Sequence, residues 1–282
     1  LLGLEVVMRL PLLVTTIVVI STTGCSRYSV RRAALVPHAA PTMRDGQPMG
    51  DAVAAVDLGV QTLVQTRDPA EGDDTAGLHI PRIQTNGGLR FQPAEGLDIG
   101  IIYERGWADG ATSLAEDQPD TEGDAQGFGV TMGYSMATGD PNFRVGLSLD
   151  LINYNVPYVE YRTCVENCGI SPYTDVDRHK VNVGAIAVGA IPSYQHGPWT
   201  FFGSLTLRNH PTVPRGGTEG PIDGDDIEGG PLNAIVAAGA SFTTPARVKA
   251  SILVYQPMTN DPVDYSPTVA VMISLPLGNR QF

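Results

Sequence analysis

The stretch LDIGIIYERGW, Leu97 to Trp107, decides the fold. Leu97, Ile99, Ile101, Tyr103 and Trp107 recur at every second position, with Arg105 alone breaking the run. Between them stand Asp98, Gly100, Ile102, Glu104 and Gly106, which are mostly small or charged. A period of two is a β-strand with two different faces. In a water-soluble fold the apolar face turns inward, whereas in a strand that crosses a bilayer it turns outward. Which face is wet is therefore the question on which the rest depends.

Working outward from this strand, the same alternation recurs along the chain. We read about ten strands, near 51–65, 79–92, 96–107, 127–137, 142–156, 179–192, 198–208, 232–243, 247–257 and 266–277. GFGVTMGYSMA sets Phe128, Val130, Met132, Tyr134 and Met136 against Gly127, Gly129, Thr131, Gly133 and Ser135. FRVGLSLDLI sets Phe143, Val145, Leu147, Leu149 and Leu151 against Arg144, Gly146, Ser148 and Asp150. Gly, Ser and charge would make a poor soluble core. They suit the crowded interior of a small barrel whose large side chains face lipid. The apolar face of LDIGIIYERGW is therefore expected outside.

The connections alternate in length. RDPAEGDDTAG is long, QPAEG short, ADGATSLAEDQPDTEGDAQ long and ATGDPN short; the segment carrying TCVENC follows as a long one. SYQHGP, NHPTVPRGGTEGPIDGDDIEGG, TTPAR and MTNDPVDYS continue the order. Alternate connections of an up-and-down barrel lie at the same end, so one rim is looped and the other trimmed. The long connections are acidic, and together outweigh the net charge of -12. That charge argues against nucleic acid as a partner. DGDDIEGG lacks the ligand spacing of a calcium loop.

In this pattern, across residues 50–282, the chain resembles bacterial outer-membrane β-barrel proteins. The resemblance implies an all-β, up-and-down antiparallel transmembrane barrel of about ten strands, with long external loops and short periplasmic turns. It also implies the lipid bilayer of the outer membrane as a partner, and the barrel-assembly machinery in transit. Phe282 matches the terminal aromatic residue of such barrels, although its parity differs from that of Val271, Ile273 and Leu275.

The N-terminus reads as an export signal over residues 1–24, with Met8-Arg9 before the apolar LPLLVTTIVVI and residues 1–7 upstream of the true start. STTGC resembles the bacterial lipobox: Thr23, Gly24 and Cys25 match, while Thr22 stands where Leu is usual. The resemblance implies acylation of Cys25, and Ser26 is compatible with outer-membrane sorting. Residues 25–49 mix Pro, Ala and Arg without periodicity and read as a flexible periplasmic tether. Cys164 and Cys168 form a C-x3-C pair without a neighbouring His, so an oxidising compartment favours a disulfide over a metal site.

Two sets of inward residues are candidates for function. Asp57, Arg82, Arg90, Asp98, Glu104, Arg144 and Asp150 form a lumen charge set, with Arg90 expected opposite Asp98 and Gln84 opposite Glu104. It is either a structural network or a conduction path. Ile102, Ile152, Tyr154, Ile186, Val188, Phe202, Ile235, Leu253, Tyr255 and Met272 are placed inward by parity. They either pack the barrel shut or form a pocket for a small apolar solute. No GxSxG, Walker or HExxH motif is present. No cofactor, metal or catalytic residue is assigned, and an enzyme at the external rim, near His79, His179 or His210, is the alternative to a structural, solute-passing or adhesive barrel.

Overall fold

The computed structural model describes residues 27–37, 40–42, 44–62, 78–109, 112–113, 119–166, 173–212, 228–258 and 267–279. Among them are 13 strands and no helix. Ten of the strands form the wall: β2 (Ala52–Thr62), β4 (Ile83–Ala94), β5 (Leu97–Gly106), β7 (Ala125–Ala137) and β8 (Phe143–Glu166), then β9 (Tyr173–His196), β10 (Trp199–Thr212), β11 (Glu228–Thr243), β12 (Lys249–Met258) and β13 (Thr268–Asn279). Each wall strand pairs antiparallel with its neighbours, and the β8–β9 and β13–β2 pairings close the ring. Closure pairs every strand edge, which an open sheet in hydrocarbon could not do. The expected fold class stands: an up-and-down antiparallel barrel of ten strands.

The faces follow the alternation. Along β7 buried and exposed residues alternate over nearly the whole strand, with Phe128, Val130, Met132 and Tyr134 outside. Ile99, Ile101 and Tyr103 of β5 are also exposed, so the apolar face of LDIGIIYERGW is the outer one. Leu58, Leu147, Val188, Leu205, Val236, Ile252 and Ile273 continue the belt around the barrel. Aromatic residues edge it. Trp199 lies against Phe242 at the turn end (ring centroids 4.9 Å apart), and Tyr103 pairs with Phe128 toward the looped end. A continuous apolar belt of this size is foreign to a water-exposed surface.

Arg105 interrupts the apolar run because it lies beyond the belt. Its guanidinium sits 3.8 Å above the Trp107 ring, and its Nε donates to Asp124 over 2.8 Å. Asp124 also accepts from the Ala108 backbone N–H at 2.8 Å. Partial burial pushes the Asp124 carboxyl up, but that N–H and Arg105 outweigh it and hold it below the usual carboxylate range.

Two features depart from the sequence-based expectation. β8 and β9 run far past the wall, pairing as far as Thr163 with Tyr173, so the two strands continue as a paired extension on the looped side. The second concerns the described residues between 27 and 49, which are docked on the barrel. β1 (Arg27–Leu35) pairs antiparallel with β8 from Tyr158 to Glu166, on the edge that β7 leaves open beyond Asn155. Two short strands cap it, β3 (Leu78–Ile80) parallel to β1 and β6 (Thr112–Ser113) antiparallel to β3. Residues 40–42 and 44–49 lie lower inside the barrel, and the chain enters β2 from the turn end. Ala40, Thr42, Arg44 and Asp45 are all buried there. Lack of periodicity marks a segment with no single wet face, and a strand enclosed on every side has none either.

Candidate functional site: a lumen filled by the chain's own N-terminal segment

The contacts of residues 40–51 climb the inner wall in order. At the turn end Arg247 lies 3.2 Å from Asp51, and Lys249 of β12 lies 2.8 Å from Asp45. The Gln47 side chain donates to Ser193 of β9 at 2.9 Å. Gly46 has a positive φ of 74°, and a Cβ there would sit 2.5 Å from the Ile191 carbonyl oxygen. Facing it, a Cβ on Gly146 would come within 2.7 Å of the Gly46 Cα. The two glycines let two backbones touch. Higher up, Arg44 is ion-paired with Asp98 of β5 and donates to Thr131 of β7 at 2.6 Å. Gly133 leaves the space that this guanidinium occupies.

Above Arg44, the Thr42 hydroxyl donates to Asp150 at 2.8 Å and accepts from Ser148 at 3.0 Å. Arg208 of β10 donates to the Ala40 carbonyl at 3.0 Å and lies 3.1 Å from Glu104. Tyr154 donates to the same carboxylate and touches Arg208, and Gln84 adds a bond to Glu104 at 3.3 Å. Two ionic layers result, each pairing buried charges of opposite sign across the interior, while the Arg208 Nε is left without a hydrogen-bond partner among the described residues.

The predicted charge set is partly assembled. Asp57, Arg90, Asp98, Glu104 and Asp150 belong to these layers. The main partner of Arg90 is Asp57, to which Nη2 donates at 2.9 Å; Asp98 lies 3.9 Å away. The registers differ from those expected: Arg90 stands opposite Gly100, and Asn86 stands opposite Glu104. Arg144 is half-buried and lines a cavity of about 470 Å³ at the turn end, beside Arg44, Asp45, Arg90 and Lys249. Arg82 is a correction. It is exposed at the start of β4, because β3 and β4 are separated by a bend there.

The apolar set divides likewise. Ile152 and Tyr154 are buried with Val36, Val156, Tyr158 and Val183, and Ile102 packs against them. Phe202, Leu253 and Tyr255 are buried with Ala40, Ile191 and Ile235. Both clusters include residues of the luminal segment, so they pack against it. Ile186 and Val188 are corrections, exposed on the outer belt. Their strand is apolar on both parities, and the register decides: Ile186 pairs with outward Leu151, and Val188 with outward Leu149. Directly opposed residues share a face, so small Ala185, Ala187 and Gly189 turn inward.

Cys25, Cys168, Phe282 and the signal segment lie outside the described residues. Cys164 lies in β8, in register with Tyr28. At the looped end His179 stacks on Tyr158, with centroids 5.2 Å apart, while His79 lies in β3 and His210 in β10. Among the described residues no group of three or more His, Cys, Asp or Glu is placed to hold a metal ion.

Thr42, Arg44, Asp45 and Arg208 were missed by sequence reasoning. Arg208 shares the inward parity of Phe202, Ser204 and Thr206 and was legible on that ground. Arg44 had a subtler signal. The predicted lumen set holds four acids, Asp57, Asp98, Glu104 and Asp150, against the three cations Arg82, Arg90 and Arg144, and is one cation short.

Taken together, the fold and site define a closed ten-stranded antiparallel barrel with an apolar exterior and a lumen occupied by its own N-terminal segment. No family model matches the chain, and no curated protein matches it. Among solved structures it is similar to the KdgM porin (TM-score 0.35, 11% identity, 79% of this chain and 99% of that one). It is also similar to LpxR from Salmonella typhimurium (TM-score 0.39, 8% identity, 79% and 100%). An outer-membrane channel from Pseudomonas putida F1 gives a TM-score of 0.40 at 11% identity, over 85% and 100% of the two chains. Likeness of this degree assigns no activity.

Proposed function

We propose that the protein is an integral outer-membrane barrel whose lumen is sealed by residues 40–49, and that its role is structural or at the cell surface. A non-enzymatic role without open passage is the reading that the filled interior supports best. The observation that carries it is the ladder from Asp51 to Ala40, in which Arg44–Asp98 and Arg208–Glu104 cross the interior. The exposed apolar belt supports the bilayer, and the trimmed rim at 95–96, 138–142, 197–198 and 244–248 supports the periplasm as the side the turns face. Acylation of Cys25 belongs to the same reading as a modification of the exported chain. The turn-end cavity favours a second reading, a small polar solute held on the periplasmic side.

Planar-bilayer conductance of the purified full chain tests the sealed lumen. The wild type is expected to show no steady channel, and a chain lacking residues 40–47 to open one. Porin-like conductance from the wild type would overturn the reading.

A further inference from the structure

The luminal segment has a direction as well as a position, and β8 measures it. Gly46 lies against Gly146, Thr42 against Ser148 and Asp150, and Val36 in the cluster of Ile152, Tyr154, Val156 and Tyr158. Ala34 is in register with Tyr158, and Arg27 with Glu166. Contacts thus rise steadily along β8 as residue numbers fall along the segment. The chain leaves β2 downward at the turn end, reverses at Gly50 and Asp51, and climbs through the barrel to the looped end.

We propose that the protein delivers its N-terminal end to the outside of the cell: polypeptide upstream of Arg27 emerges at the looped face, on the opposite side of the membrane from the start of β2. This rests on the outer-membrane reading, which makes the looped end external. The route runs through the lumen and not along the lipid face, because Ala40, Thr42, Arg44 and Asp45 are buried among inward side chains. A periplasmic tether would need the opposite exit.

The segment is also held there. Withdrawing it would leave Asp45 and Lys249 apart, Asp98 without Arg44, and the Arg208 Nη1 without the Ala40 carbonyl, all in a closed interior. It therefore enters with ring closure and stays, as part of the wall's own polar satisfaction.

The exit lies well clear of the membrane. Leu151 is the last large outward apolar residue on β8, and Arg27 docks at Glu166, about 15 residues further along the strand. At about 3.4 Å per residue and a tilt near 45°, that lifts Arg27 on the order of 35 Å above the apolar belt. A group attached within a few residues upstream of Arg27 is thus presented to the exterior and not to the outer leaflet. Docked β1 and a Cys25 acyl chain buried in that leaflet are alternatives, since two residues span only about 7 Å.

The test uses the full chain in cells, with one epitope inserted between Ser26 and Arg27 and a different epitope within 213–227. A second chain carries an epitope after Gly139, in the short turn. The N-terminal and loop epitopes are expected to bind antibody equally on intact cells, and the Gly139 epitope only after permeabilisation. An intact cell that shows the loop epitope but hides the N-terminal one overturns the threading and leaves the membrane barrel standing. The Gly139 epitope exposed with both others hidden shows a reversed barrel, a failure of the underlying reading. All three epitopes hidden on intact cells overturns both.

Discussion

The wall and the luminal segment are both extended chain, yet they are held in place by different physics. In the wall, successive residues face opposite environments, so the period of two carries the information: Ile99 and Ile101 out, Asp98 between the lumen charges. In the segment the described side chains from Ala40 to Asp45 all face protein. Ala40, Thr42, Arg44 and Asp45 are buried one after another, and each is matched to a particular wall residue. The wall is specified by burial and the segment by complementarity. The difference teaches where charge sits in a narrow barrel: wall and segment each carry both signs, and each segment charge meets its opposite on the wall, Arg44 at Asp98 and Asp45 at Lys249.

The sharpest way to break this comparison is to remove a charge that serves both parts. Arg208→Met leaves Glu104 buried without its cation and the Ala40 carbonyl without its donor. Breaking a buried pair in this way should cost about 3–5 kcal/mol, read from denaturant unfolding of the vesicle-inserted barrel. Adding Glu104→Gln should restore much of the loss. A single variant as stable as wild type would mean that the lumen is hydrated and the pair solvated.

Next come substitutions that separate the two faces of the wall. Ile101→Arg and Leu149→Arg place a charge on the outer belt, and each should cost roughly 2–4 kcal/mol at mid-membrane. Ser148→Arg discriminates an empty lumen from a filled one. A water-filled interior would tolerate it beside Asp150, but Ser148 is buried and bonded to Thr42. It should therefore damage folding as much as Leu149→Arg does, and folding yield into lipid vesicles measures both. A mild Ser148→Arg beside a severe Leu149→Arg would show that the segment leaves the lumen.

Thr42→Val tests the segment alone. It deletes the donor to Asp150 and the acceptor for Ser148 while keeping the shape, and about 1–3 kcal/mol should be lost, with the apolar belt unaffected. A loss confined to the segment should also raise protease sensitivity between residues 40 and 50 before the wall opens.

The smallest effect is expected at the rim. Because the Asp124 carboxyl is held below its usual range, its contribution is present above the pKa of the unfolded chain and is lost as pH falls through the folded value. The pair with Arg105 should be worth at most about 1 kcal/mol. Asp124→Asn should therefore narrow the stability difference between pH 7 and pH 3 slightly. An unchanged difference would assign no part of it to this carboxyl.

Much of the wall is legible in the sequence, because alternation is a local property. One strand such as GFGVTMGYSMA shows both its faces, and the order of long and short connections shows which ends are shared. Where the alternation was ambiguous, the reading failed. VGAIAVGAI is apolar on both parities, and Ile186 was placed inward although its register with Leu151 puts it out. Arg82 shares the face of Arg90 by parity, and the bend before β4 takes it out of the lumen.

The sequence by itself determined an all-β chain, strands with one large apolar and one small or charged face, and a looped and a trimmed rim. The reason is that side-chain period and turn chemistry act over a few residues. Tertiary structure alone decided that Ala40, Thr42, Arg44 and Asp45 lie in the lumen, that β1 extends the β8 edge, and that Arg44 meets Asp98 and Arg208 meets Glu104. Those partners are separated by long stretches of chain, and an enclosed segment has no wet side to imprint a period on its sequence. Only closure of the ring brings the unmatched acids of the wall to the cations that satisfy them.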